Sequence, residues 1–315
     1  MTLTQLSSFV MVARLGSVTA AASALGVSEP AVSQALAALR GHFEDQLIKR
    51  GTGGGMRLTP AGARLLPVAS QMVALGADAA AAVRSAQGAP DQLRLVATST
   101  VAEFVVPPLV EAFGDRAGRK IDISSGVATA GEIRVLLENR LADLAIGPSL
   151  ATRDSELVNE PVYRTQLVVA ASRTARLAAD PHQWHWLVDS SGTDPDSDYA
   201  RLLRRLHVTE QQTRVFPNQT AAWAAAAEGA GVAPAPAHLI AGRIRRGELG
   251  LVDTPVTPTV CTWYCTSLPA ERRSAATDAF LHFARSAVGT RIMREPGAGV
   301  PPSRFRPPVY VTLWS

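Results

Sequence analysis

The sequence predicts an α/β protein in three parts: a helical head ending in a two-stranded wing, one long connecting helix, and a two-lobed α/β body. Three observations carry this. The first 50 residues hold helix-patterned segments separated by stop and start signals at Gly26 and Ser28. Residues 59–87 form one unbroken, alanine-rich helical pattern. Beyond Pro90, strand-like and helix-like segments alternate, as in open sheets with ligand sites at the carboxyl ends of their strands.

A chain of 315 residues needs more than one core. With 47% hydrophobic and 18% charged residues it reads as well-buried globular structure. The net charge is +4, concentrated at the N-terminal end. There Arg14, Arg40, Lys49, Arg50, Arg57, Arg64 and Arg84 face only Glu29, Glu44, Asp45 and Asp78. A basic end suits nucleic acid. No basic segment followed by an apolar run opens the chain, and no run of about 18 apolar residues occurs, so a cytoplasmic protein without membrane contact is expected.

In the head, "TQLSSFVMVA" spaces Leu6, Phe9, Val10 and Ala13 as the apolar face of a first helix. Ser17 caps a second helix, which Gly26 ends at a position requiring positive φ. Ser28 then caps a third, with Pro30 in its first turn, where a missing N–H is harmless. Wound at about 100° per residue, Val32, Ala35, Leu36 and Leu39 face inward. Pro30, Gln34, Ala37 and Gly41 face outward, with Ser33 and Arg40 on the flank. This short, nearly uncharged side can enter a major groove, where Ser and Gln bond base edges or phosphates. An ordinary helical hairpin is the alternative.

Leu47-Ile48 and Met56–Leu58 are expected to pair as strands around a Gly51–Gly55 turn, setting Lys49, Arg50 and Arg57 beside a phosphate backbone. The glycines do not form a nucleotide loop, because no Gly-Lys-Ser/Thr follows. Thr59 and Pro60 start the long helix, whose stripe Leu65, Val68, Met72, Leu75 and Ala79 requires another surface, naturally a partner chain. Gly88–Pro90 marks the boundary.

In the body, strands are expected at Leu93–Ala97, Ile121–Ser125, "LADLAIGP", Gln166–Ser172, Leu249–Asp253 and around Cys261. Helices are expected at about Glu103–Phe113, Glu132–Glu138, Gln219–Glu228 and Glu271–Val288. Two lobes, each with its own sheet, would enclose a hinged cleft. The tail from Pro296 to Ser315 has five prolines in twenty residues and is expected to be loose.

Cys261 and Cys265 lie about 13 Å apart along one strand, too far to pair there. Buried structural thiols are expected; a peroxide-sensing pair would require that strand to unravel. His182 and His185 lack further ligands at metal spacing, so no metal or cofactor is expected. No Gly-x-Ser-x-Gly elbow, Walker loop or zinc spacing supports an enzyme. A secreted solute carrier would need a signal sequence.

Over residues 3–290 the chain resembles the LysR-type transcriptional regulators of bacteria. The likeness rests on "FVMVARLGSVTAAASALGVSEPAVSQALAALR", "LTPAG", "LENRLADLAIGP" and "AAAEGAGVAPAPA". It implies a winged helix-turn-helix at 1–58, a dimerisation helix at 59–88, and a regulatory domain at 91–295 similar to periplasmic solute-binding proteins. Lobe I of that domain would be 91–161 plus 268–295, and lobe II 162–267. The tail falls outside the family pattern. The resemblance also implies a dimer or dimer of dimers on double-stranded promoter DNA, an effector closing the cleft, and RNA polymerase as a candidate partner. The DNA contacts it implies are Thr19, Ser28, Glu29, Pro30, Ser33, Gln34, Arg50 and Arg57. Glu29 departs from the family's frequent glutamine, and the Gly-rich wing is unusual. The implied effector contacts are Ser99, Thr100, Thr129, Asn218 and Thr220, suited to a small anion or carboxylate. Arg134 and Arg164 are the nearest candidate cations for such a ligand.

Overall fold

The computed structural model describes residues 1–50, 56–87, 90–117, 121–150, 155–178 and 180–295. Three helices, α1 (Leu3–Leu15), α2 (Val18–Leu25) and α3 (Glu29–Phe43), form the head. Ser17 Oγ accepts from the Ala20 amide and Ser28 Oγ from the Ala31 amide. Gly26, at φ 64°, ends α2 and donates to the Ala22 and Ser23 carbonyls. Val32, Leu36 and Leu39 are buried against Leu6, Phe9 and Val10. Ala35, expected among them, is half-buried.

Strands β1 (Ile48–Arg50) and β2 (Met56–Leu58) pair antiparallel, Lys49 opposite Arg57. The expected Gly51–Gly55 turn lies outside the described residues. Helix α4 (Pro60–Ala86) begins where Thr59 Oγ1 accepts from the Gly62 amide at 3.0 Å and donates to Asp45 at 2.7 Å. Its buried face, Ala69, Val73 and Ala74, packs toward α1. Gly76 lies on the same side: a Cβ there would stand 2.7 Å from Leu3 Cδ1. Val68, Met72, Leu75 and Ala79 are exposed and Leu65 half-buried, so the predicted stripe is uncovered within one chain.

The body follows as β3 (Asp91–Ala97), α5 (Ser99–Phe104), α6 (Val106–Ala117), β4 (Ile121–Val127), α7 (Ala130–Glu138), β5 (Leu144–Gly147) and β6 (Val158–Ser172). Then come β7 (Trp186–Val188), α8 (Asp198–Arg205), β8 (Thr213–Val215), α9 (Gln219–Ala227), β9 (Ala233–Pro236) and α10 (Ala237–Arg245). The last elements are β10 (Leu249–Val252), β11 (Thr259–Ser267), α11 (Ala275–Ala284) and α12 (Ala287–Arg294).

The two lobes do not have separate main sheets, as the alternation suggested. One sheet runs β10-β6-β11-β5-β3-β4 with β9 also on β6, and among the described residues of the body β7 and β8 pair apart from it. The cause is the length of β6, 15 residues, which pairs with β11 from one lobe into the other. Their register shifts between Trp263 and Tyr264, where Tyr264 faces Pro161. Proline has no amide to give the ladder, and a bulge there bends the pair as it crosses.

Two predicted helices are broken. The one expected near Glu103–Phe113 splits into α5 and α6 at Val105, just before Pro107 and Pro108, which cannot continue a helix from the preceding turn. The one expected at Glu271–Val288 divides into a 3-10 turn at Ala270–Arg272, α11, and α12, which Ser286 caps by accepting from Gly289 at 3.2 Å. The tail 296–315 lies outside the described residues. The core of the head continues into Ile133 and Leu136 of α7, so head and body share buried surface.

Candidate nucleic-acid interface and ligand cleft

The cap sequence places α3 so that Ser28, Glu29, Pro30, Ser33 and Gln34 are all on the side away from Val32 and Leu39, and all five are exposed. Ala37 and Gly41 extend that face, and Thr19 on α2 is also exposed. Ser28 spends its hydroxyl oxygen on the cap but keeps its proton free to donate. In the wing, Lys49 and Arg57 are directly opposed across the ladder, and both are exposed. Like charges so placed repel, and the pairing becomes favourable beside a polyanion. The Arg50 side chain lies outside the described ones.

The cleft holds a cavity of about 320 Å³. Thr98 and Ser99 after β3, Thr129 and Glu132 at the start of α7, and Ser191, Thr193, Asp194 and Asp196 after β7 form its walls. Leu15, Ala20, Ser23 and Ala24 of the head close another side. Of the predicted effector residues, this cavity gathers Ser99 and Thr129. Thr100 lines a cavity of about 20 Å³ beside Tyr199 and Cys261, Thr220 lines a third pocket of about 590 Å³, and Asn218 caps α9 by accepting from Ala221 at 2.8 Å.

The hydroxyl groups expected to hold an anion are already engaged. Ser99 Oγ donates to Asp189, and Thr220 Oγ1 to Glu103. Thr129 Oγ1 donates to Glu132 at 2.9 Å and Thr100 Oγ1 to the Tyr199 hydroxyl at 3.2 Å. Asp189, fully buried, also accepts from Ser191 and from Gln219 Nε2 at 2.8 Å. Asp194 occupies the start of α7, accepting from the Ala130 amide at 2.8 Å. Glu103 is fully buried, and burial raises its carboxyl above the ordinary range against the opposing pull of the Thr220 and Gln219 donors. Neither Arg134 nor Arg164 lines the cavity.

These carboxylates were missed as site residues. The signal was "DSSGTDPDSD" at 189–198, four aspartates among turn-forming residues between a strand and a helix.

Cys261 and Cys265 are buried in β11, and desolvation raises both thiols well above their usual value. Cys261 acts as a donor to Asp198. Such thiols are poor nucleophiles, which fits a structural role. His185 is exposed and the His182 side chain lies outside the described ones. Among the described residues, no group of three His, Cys, Asp or Glu could hold a metal, and no helix is long and apolar enough to cross a membrane.

Comparison with known proteins agrees with this geometry. Residues 3–63 match the bacterial regulatory helix-turn-helix protein family of the LysR type, and residues 86–289 match the LysR substrate binding domain. An HTH-type transcriptional regulator of Mycobacterium tuberculosis (strain ATCC 25618 / H37Rv) is 33% identical over the full length of both chains. The regulator CfxR of Cupriavidus necator is 25% identical over 96% of this chain and 97% of its own. Among solved structures, a full-length variant of AphB superposes with TM-score 0.58 at 18% identity, covering 91% of this chain and 99% of that one. CbnR, a LysR family transcriptional regulator, gives 0.52 at 20% identity over 90% and 98%. The fold, the two matched segments and the full-length relatives together place this chain in the LysR family of bacterial helix-turn-helix transcriptional regulators.

Proposed function

We propose that the chain reads promoter DNA through α3 and the wing, and that a small molecule in the 320 Å³ cavity adjusts that binding. The observation that carries the reading is the outward face Pro30, Ser33, Gln34, Ala37 and Gly41, flanked by the opposed Lys49 and Arg57. Base edges would be met by Ser33 and Gln34, with Glu29 biasing the choice at one position toward a cytosine amino group. Thr19, Ser28, Arg50 and Arg57 would meet phosphates. CbnR, a protein of the same fold, has been captured in full length with its target DNA, in a structure that superposes at TM-score 0.50. The chain acts in the cytoplasm as a regulator and not as an enzyme, with RNA polymerase as a further partner.

The effector reading changes from the sequence expectation. Among the described residues the cavity lining carries Glu132, Asp194 and Asp196 but no Lys or Arg, and the Ser99 and Thr129 hydroxyls already donate to carboxylates. An anion has poor company there. A neutral or cationic compound rich in hydrogen-bond donors fits better. Because α2 forms part of the wall, its occupant touches the helix that supports α3, a direct route from ligand to DNA.

Two copies would pair through the uncovered stripe of α4, giving the dimer or dimer of dimers. The head is assigned to residues 1–58, the linker helix to 59–88 and the regulatory domain to 91–295, with lobe I at 91–161 plus 268–295 and lobe II at 162–267.

A gel-shift experiment on the DNA immediately upstream of the gene tests the core of the proposal. Binding that survives excess random DNA and weakens steeply with salt supports it. Catalytic turnover without specific DNA binding would overturn it.

A further inference from the structure

A second pocket lies away from the cleft, at the other end of α5. Ser99, the first residue of that helix, lines the cleft cavity, and Phe104, its last, lines this one. The pocket measures about 590 Å³. Its walls come from both lobes: Phe104 and α12 on one side, α9 and α10 on the other. Phe104 and Trp223 stack at 5.1 Å as an apolar floor. Above it stand Arg243, Arg245, Arg246 and Arg294, with Glu295 as the one acid in the lining among the described residues.

Internal ion pairing does not neutralise these cations. Glu248 accepts from Arg246 Nε at 2.5 Å and Arg243 Nη1 at 3.4 Å. Arg245 and Arg294 form no ion pair among the described residues; Arg294 bonds the neutral Tyr163 hydroxyl. The guanidinium groups also converge. Arg246 Nη1 and Arg245 Nη2 lie 3.3 and 4.0 Å from the point where Gly242 would carry a Cβ, so both hang over one spot left open by a missing side chain. Planar guanidinium forks over an apolar floor suit bidentate recognition of a multivalent oxyanion attached to an organic body. The volume falls within the range of about 300–1,000 Å³ typical of metabolite sites.

We propose that this arginine-lined pocket is a second small-molecule site, taking a compact organic polyanion whose charge is phosphoryl or polycarboxylate. It is chemically the opposite of the acid-lined cleft, and it stands whether or not the DNA-binding reading does. Since its walls belong to both lobes, an occupant would tie them together, and α5 connects it to the cleft.

The test is calorimetric titration of the full-length protein, without DNA, with inorganic pyrophosphate and separately with citrate at matched ionic strength. Saturable binding of one probe per chain is expected. Pyrophosphate alone would identify the phosphoryl source, and citrate alone the polycarboxylate source. The double substitution Arg245→Gln/Arg294→Gln, at exposed positions, should weaken binding by about tenfold or more. The control Arg64→Gln/Arg176→Gln removes the same charge from exposed sites elsewhere and should leave it intact. The proposal fails if neither probe binds, if the double variant binds as well as the parent, or if the control loses as much. It also fails if the arginines alter only the salt dependence of DNA binding, which would make this face a contact for the DNA backbone.

Discussion

Glu103 and Thr220, 117 residues apart, are joined twice: one Glu103 oxygen accepts both the Thr220 amide, at 3.2 Å, and its hydroxyl. The other accepts the Gln219 amide at 3.0 Å. A buried carboxylate from α5 thus supplies the first turn of α9 and fastens the two lobes. Glu103→Ala would leave buried amides without acceptors and should cost about 2–4 kcal/mol in urea denaturation. Thr220→Val, which removes one donor, should cost about 1 kcal/mol. Equal, negligible effects would show that the lobes are held elsewhere.

On the DNA face the two classes of contact separate by their response to sequence. Gln34→Ala should lose about 1–3 kcal/mol at one base position and relax preference there. Arg57→Gln should weaken all sequences alike and lower the salt slope by about one. Uniform loss in the Gln34 variant, measured by gel shift on a set of single-base operator variants, would count against the assignment of that face.

Two glycines of the head test conformation against space. At Gly26, φ is 64° and a Cβ would meet nothing within 4 Å, so Gly26→Ala should cost only the left-handed strain, about 1 kcal/mol. At Gly62 a Cβ would stand 2.1 Å from the Leu47 carbonyl oxygen. Gly62→Ala must push α4 off the wing and should lower the thermal midpoint considerably more.

His238 connects stability to pH. Burial lowers its imidazole to about 4 from the ordinary 6.5, with Tyr163 and Trp263 packed around it. Arg243, Arg245, Arg246 and Arg294, in the same pocket, share a charge sign that disfavours protonation. Between about pH 4 and 6.5 the unfolded chain therefore binds more protons than the folded one, so stability rises with pH across that window and is lost as pH falls through it. The contribution is at most about 3 kcal/mol. His238→Gln should flatten that part of the profile in denaturant titrations at fixed pH values.

The exposed stripe of α4 predicts where two copies meet. Leu75 is 66% exposed, and Val68 and Met72 continue its line. Leu75→Asp should shift the protein toward monomer in sedimentation velocity, because a charge buried between two helices has no partner. A monomeric parent protein would dispose of this surface as an interface.

The head was legible residue by residue, since its signals are local. Ser17, Gly26, Ser28 and Thr59 act on backbone groups within four positions of themselves, so caps, turn and outward face could be read directly. Ser99 and Thr129 came from the family resemblance, and the structure brings both to one cavity. The breaks at Val105 and Arg285 also had local signals, Pro107-Pro108 and the Ser286 cap, which the sequence reading passed over. Helices α8 and α10 were not legible, because short helices at modest propensity owe their limits to packing.

What the letters determined by themselves is the helix-turn-helix, the wing strands, the long helix with its unsatisfied stripe, and the alternation that makes an α/β body. Each depends on periodicity and caps, which act over a turn or two. The single sheet through both lobes, the carboxylates that claim the cleft's hydroxyls, and the arginines gathered over Gly242 were decided by the tertiary structure. Residues such as Ser99 and Asp189 lie 90 positions apart. Only the folded backbone brings their charge and hydrogen bonds within reach of one another.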